Sequence, residues 1–243
     1  MSVRLRTSAS NYRPTRFITG LMVVVFVSCS VSLIAARELS REKIDSFKQA
    51  VVIVTTYDAH GKPLLQGSGF FITPDRIVTN LHVISHAREI RIKTFAGKTF
   101  TVQTIVATDA GSDLALLQME APCSNATTLQ VEDESPTEGE SIILLSNPQG
   151  SHWKVIPGRV GRTWQFENIG RRIQITADVF PGSSGGPVLN QQGQVVGIAV
   201  MRMASADDLN FAVPAESLRS LQASASGNRS LTAARANQHD QQQ

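Results

Sequence analysis

The nine residues Phe180-Pro-Gly-Ser-Ser-Gly-Gly-Pro-Val188 concentrate the residue types from which an acyl-transfer site is built. Their glycines let the backbone turn tightly and aim successive N–H groups at one point. A carbonyl oxygen becomes negative at such a point when a neighbouring nucleophile attacks it. Ser184 is the candidate nucleophile, and the N–H groups of Gly182 and Ser184 are the candidate oxyanion hole. A plain Gly/Ser surface turn has the same composition, so partners elsewhere in the chain must decide.

A serine hydroxyl is a weak nucleophile until a base takes its proton and an acid orients that base. His82 is the candidate base; it follows a strand-like run within Ile77-Val-Thr-Asn-Leu-His-Val-Ile84. Asp113 heads the apolar stretch Asp113-Leu-Ala-Leu-Leu117, where its carboxylate can be buried against an imidazole N–H. Asp109 is the rival acid, but it precedes a turn rather than a strand. The spacing Gly182-x-Ser184-x-Gly186 also fits the nucleophile elbow of esterases, which needs a following helix with its acid and histidine downstream. Pro187 to Gly197 instead reads as strand, turn, strand, and the only later histidine is His239. His82 and His86 stand four apart, as metal ligands on a helix do, yet Val83 occupies the position where a zinc peptidase needs Glu. Neither alternative accounts for its surroundings.

Short strands must hold these residues. Runs at 50–57, 64–73, 76–84, 89–95, 99–107 and 113–119 are β-branched or apolar, with Ala96-Gly97-Lys98 as a hairpin signal. Polar residues 121–138 form a connector, after which strands are predicted at 141–145, 153–157, 160–166, 172–178, 194–203 and 210–213. Six strands on each side argue for two antiparallel barrels or sandwiches. An amphipathic helix is predicted within 37–49 and a closing helix over 215–223; residues 224–243, rich in Ser, Asn, Ala and Gln, read as disordered. No internal sequence repeat is defensible.

The composition, 42% hydrophobic and 18% charged, is that of a globular chain. Four arginines in the first sixteen residues account for the net charge of +3; the remainder holds 19 basic against 20 acidic residues. No basic stripe supports a nucleic-acid partner. Those arginines precede the apolar run 17–36, the layout of an export signal or an uncleaved membrane anchor. Cleavage near Ala35 or Ala36 and lipid modification of Cys29 are both open, although Phe26 makes a poor lipobox. With Cys29 in that segment, Cys123 is the only other cysteine, so the domain beyond residue 36 holds no internal disulfide.

In chain order, Gly67-Ser-Gly-Phe-Phe-Ile72 with Thr79-Asn-Leu-His82-Val, Ser112-Asp113-Leu-Ala-Leu-Leu117, Ser146-Asn-Pro-Gln-Gly150, Pro181-Gly-Ser-Ser184-Gly-Gly-Pro187 and Asn210-Phe-Ala-Val-Pro214 resemble the blocks of the trypsin-like peptidase domain. The HtrA/Deg group is the variety they resemble most, over roughly residues 44–220. The resemblance implies an all-β fold of two six-stranded barrels, about 44–120 and 139–214, within a peptidase domain at 37–223. It also implies a cleft holding His82, Asp113 and Ser184, and peptide-bond hydrolysis through an acyl-enzyme with no metal or cofactor. The substrate would be unfolded or flexible polypeptide; the oligomeric state stays open. The alternative is a non-catalytic binding or chaperone-like protein that keeps the fold.

The sequence departs from this family in three places. About thirty residues follow Pro214, too few for the peptide-binding PDZ domain usual in the HtrA group. Ser183 stands where digestive relatives carry an activating acid. The stretch Thr176 to Pro181 runs about one residue short of the HtrA pattern and somewhat resembles secreted bacterial glutamyl-endopeptidase relatives. Asp178, six residues before Ser184, has the spacing of the pocket acid of basic-specific trypsins. Buried there it would select Arg or Lys by charge pairing; the local sequence favours a structural Asp that accepts loop N–H groups. Ile198, Val200 and Met201, on the expected pocket-wall strand, would favour apolar side chains.

Overall fold

The computed structural model describes residues 39–148, 152–203 and 209–226, without the side chains of 201–203. The predicted export segment with Cys29, residues 149 and 150 of the Ser146–Gly150 block, the Met201 side chain and residues 227–243 of the expected tail lie outside the described residues.

Among the described residues, twelve strands close into two antiparallel barrels. The first comprises β1 (Val51–Tyr57), β2 (Pro63–Thr73), β3 (Arg76–Asn80), β4 (Glu89–Lys93), β5 (Thr99–Asp109) and β6 (Leu114–Met119). The second comprises β7 (Ser141–Ser146), β8 (Lys154–Phe166), β9 (Gly170–Ile175), β10 (Pro187–Leu189), β11 (Val195–Met203) and β12 (Leu209–Pro214). Around the first barrel the order is β1-β2-β3-β6-β5-β4, and around the second β7-β8-β9-β12-β11-β10. The two orders are identical, so the fold contains a structural repeat that no sequence similarity betrays.

Closure explains why many strands read as continuous apolar runs instead of alternating. In β6, Ala115 and Leu117 point into the core of barrel one with Val52, Phe71, Ile77 and Ile92. Leu114 and Leu116, on the opposite face, are equally buried. They join Phe70 and Val78 of barrel one with Leu145, Leu189, Ile198, Val200, Phe211 and Val213 of barrel two in a single apolar layer. A third cluster, including Ile142, Leu144, Ile173 and Val188, fills barrel two. Strands between a barrel interior and the seam are therefore buried on both faces, and period two disappears.

Four sequence expectations shift. The run predicted as strand 76–84 ends at Asn80, and Leu81–Ile84 forms one helical turn, α2. The expected strands 153–157 and 160–166 are one thirteen-residue strand, β8. Lys154–Arg159 pair with β7 while Val160–Phe166 pair with β9, so Pro157-Gly158 lies within a strand, not at its end. The sixth strand of this barrel is β10, which the count of six above had not included. The closing helix, α3, runs over 215–226, past its expected end at 223.

Helix α1 (Arg41–Lys48) starts at Ser40, whose hydroxyl accepts the Lys43 N–H at 3.3 Å. The connector is pinned to both barrels. Leu129 N–H donates to Phe71 O at 2.9 Å, and Val131 forms a parallel bridge with Val195. Arg219 of α3 donates to the carbonyls of Glu132 and Asp133.

Candidate active site

The end of β3 and the start of β6 lie side by side, with Asn80 opposite Leu114, which brings His82 and Asp113 together. Asp113 has φ 61°, a left-handed backbone that an Asp tolerates better than a branched residue. This conformation turns its carboxylate back onto α2. One oxygen accepts the His82 backbone N–H at 2.8 Å, and the other lies 2.6 Å from His82 Nδ1. An ionised carboxylate can only accept, so Nδ1 carries the proton and Nε2 keeps a free lone pair. The Asp113 carbonyl also accepts from the Asn80 amide at 2.9 Å and from Leu81 N–H at 3.0 Å. His82 is about half exposed and Asp113 mostly covered, at 48% and 22% of the side chain. Asp109, the rival acid, instead closes its own turn: it accepts Gly111 N–H at 2.9 Å and the Ser112 hydroxyl.

The Ser184 segment is two successive turns. Ser183 N–H donates to Phe180 O at 2.8 Å with Gly182 at φ 91°, and Gly186 N–H donates to Ser183 O at 2.9 Å with Gly185 at φ 86°. Positive φ at the third residue is what a type II turn requires, and Pro181 suits the second position of the first. Among the described residues the N–H groups of Gly182 and Ser184 have no acceptor, as a pair of donors awaiting an oxyanion must. Ser183 is fully buried; its hydroxyl lies 3.1 Å from that of Ser146 and accepts the Phe180 N–H at 3.3 Å. A neutral pair thus fills the place of an activating acid.

Barrel one supplies the dock for these turns through Ser68 of β2. Its N–H donates to Ser184 O at 2.8 Å, and its hydroxyl donates to Gly182 O at 2.8 Å and accepts Asn147 N–H at 3.1 Å. A Cβ on Gly185 would lie 2.1 Å from Ser68 O, so only glycine fits there. A Cβ on Gly67 would touch both Val83 and the Ser184 carbonyl, at 2.8 and 3.0 Å. The nucleophile turn therefore sits against the residue next to His82. Ser68 escaped the sequence reading as a functional residue; the one trace was its place between two glycines.

His82 and Asp113 are joined, but the third contact is open. The Ser184 hydroxyl donates to Val200 O at 3.1 Å and not to the imidazole. The specificity residues need correction. Asp178 is exposed in the bend after β9, and no hydrogen bond to a described residue holds it, so it is neither a buried pocket acid nor a loop cap. Val179 N–H is held instead by the Asn210 side chain, at 3.1 Å. Ile198 and Val200, 0% and 5% exposed, pack in the layer between the barrels, and the Val200 carbonyl accepts the Ser184 hydroxyl. Asp178 is placed by its spacing from Ser184, and spacing does not say which way a chain faces.

A family model described as the trypsin-like peptidase domain matches residues 67–198. The serine protease HTRA1 of Xenopus laevis is 28% identical over 66% of this chain and 36% of its own length. The anti-sigma-I factor RsgI9 of Acetivibrio thermocellus is 30% identical over 75% of this chain and 26% of its own length. The chain thus spans about a quarter to a third of these relatives. Among solved structures, the active form of the Rv3671c protease of M. tuberculosis superposes with a TM-score of 0.68 at 25% identity, covering 74% of this chain and 82% of that one.

Proposed function

The chain belongs to the trypsin-like peptidase domain family, and from that premise we propose that it is an exported serine endopeptidase acting on flexible polypeptide. Ser184 attacks the scissile carbonyl while His82 Nε2 takes its proton, and Asp113 holds the imidazole in the tautomer that makes this possible. The N–H groups of Gly182 and Ser184 receive the developing oxyanion. The 2.6 Å bond between His82 and Asp113, together with the two unsatisfied donors in the turn that carries Ser184, supports the reading. In the resting site the serine must first turn from Val200 O toward His82; such contacts commonly close only with substrate present. No step calls for a metal or cofactor. Export rests on the arginines before the apolar run 17–36, which could equally remain as a membrane anchor.

Labelling by a fluorophosphonate probe, followed by peptide mapping, tests the proposal. The expected adduct is on Ser184, and it disappears in Ser184→Ala and His82→Ala. Folded protein that stays unlabelled, and leaves unfolded casein intact, would instead be a binding or chaperone-like module.

A further inference from the structure

Resting on the reading of Ser184 as nucleophile, we propose that Ser146 is a positioning residue. From the end of β7 it latches Ser183, and with it the turn that aims the Gly182 N–H, so that the oxyanion hole stands formed in the resting protein. Ser146 and Ser183 are 1% and 0% exposed, and their hydroxyls lie 3.1 Å apart. A buried hydroxyl without a partner is costly, so the two oxygens depend on one another. Ser183 also closes the turn on Phe180 twice. Its N–H donates to Phe180 O at 2.8 Å, and its hydroxyl accepts the Phe180 N–H at 3.3 Å. The same rung of barrel two grips the far end of the turn. Lys154 stands opposite Ser146 across β7 and β8, and its Nζ lies 4.6 Å over the Phe180 ring.

The latch matters to the chemistry because of where the Gly182 N–H sits. It belongs to the central peptide of the turn from Phe180 to Ser183, and inverting that peptide converts type II into type I and points the N–H the opposite way. Glycine accepts either sign of φ, so Gly182 alone does not select its observed 91°. The bond from Ser183 N–H to Phe180 O does not select it either, because both turn types contain that bond. Ser68 holds only the Gly182 carbonyl, on the peptide that follows. The second clasp on the turn is the Ser183 side chain, and Ser146 is what fixes its rotamer. Without Ser146 the Ser183 hydroxyl is free to swing away from the Phe180 N–H, and a turn closed by one bond samples both types. The end of β7 also packs against the nucleophile segment: a Cβ on Gly186 would lie 2.5 Å from Leu145 O and 3.3 Å from Ser146 Cβ. Two hydroxyls that only filled space there would be replaceable by methyl groups. Two that hold a donor in place would not.

The test compares Ser146→Ala, which removes the hydroxyl, with Ser146→Thr, which keeps it. Peptide hydrolysis gives kcat and KM, near-ultraviolet circular dichroism checks folding, and NMR of the full chain with isotope-labelled glycine follows the Gly182 amide. In wild type that amide gives a single resonance; in Ser146→Ala it broadens or splits. The Ala variant also loses about tenfold in kcat, the worth of one neutral buried hydrogen bond. Its KM stays within about twofold, because an oxyanion donor acts in the transition state and not in the bound substrate. Ser146→Thr restores both readouts. Ser183→Ala gives the same losses and replaces Ser146→Ala if that variant does not fold. A Gly182 amide or a kcat that is unchanged in folded Ser146→Ala, or equal losses in folded Ser146→Thr, would overturn the inference. Absence of Ser184 labelling in the wild type would sink the peptidase reading alone, because the Gly182 amide reports the latch without turnover.

Discussion

Asp113 does two jobs with one side chain, fixing the α2 backbone through His82 N–H and the imidazole through Nδ1. Asp113→Asn keeps the shape but offers an amide where the ring needs an acceptor, so the wrong tautomer is favoured. The expected result is a fall in kcat of about 10⁴ with the fold intact, read by peptide hydrolysis and circular dichroism. Ser68 works at the same scale on the other partner. In Ser68→Ala the Gly182 carbonyl and the Asn147 N–H both lose their bond, which loosens the oxyanion turn. Probe labelling of Ser184 should slow by about tenfold or more, corresponding to over 1 kcal/mol, while the melting temperature falls only modestly.

Elements meet where no side chain fits. Gly185 combines a φ of 86° with an approach to Ser68 O that any Cβ would violate. Gly185→Ala should therefore cost more than about 2 kcal/mol in urea denaturation and abolish labelling, because the turn can no longer dock on β2. The β2–β3 turn rests on a different device. Thr73 and Gln118 donate to the Asp75 carboxylate at 2.6 and 2.7 Å, and these bonds hold its pKa below the ordinary 3.8. A carboxyl lowered on folding stabilises above its unfolded pKa, and that contribution is lost as pH falls through the folded value. Asp75→Asn should thus be less stable than wild type at neutral pH. The gap should narrow steadily below about pH 4, as followed by thermal melts at several pH values.

For the whole molecule the decisive feature is the apolar layer shared by both barrels. Neither barrel can lose it without exposing the other, which argues for a single cooperative transition across the described domain. Leu116→Ala, a fully buried deletion in that layer, should cost about 3 kcal/mol and reduce labelling in parallel with stability. Two separate denaturation transitions in wild type would show that the barrels unfold independently. The proposed site depends on the same layer, because His82 and Asp113 belong to barrel one and Ser184 to barrel two.

Local chemistry was legible in the sequence: the glycine-rich turn, a histidine after a strand, an acid heading an apolar run, and six strands on either side of a polar connector. Each of these is set by residues within a few positions of one another, through backbone freedom and hydrophobic pattern. Facing was not legible. Ile198, expected on a pocket-wall strand, packs between the barrels; Asp178, read as a pocket acid or, in preference, a structural loop acid, is exposed; and Pro157-Gly158 lies inside a strand instead of ending it. The docking role of Ser68 also belongs to the tertiary structure, since its partners Gly182 and Asn147 lie tens of residues away in the chain. Local sequence sets which conformations a segment can adopt; only closure of the barrels against one another decides which of its faces meets another strand, and which meets water.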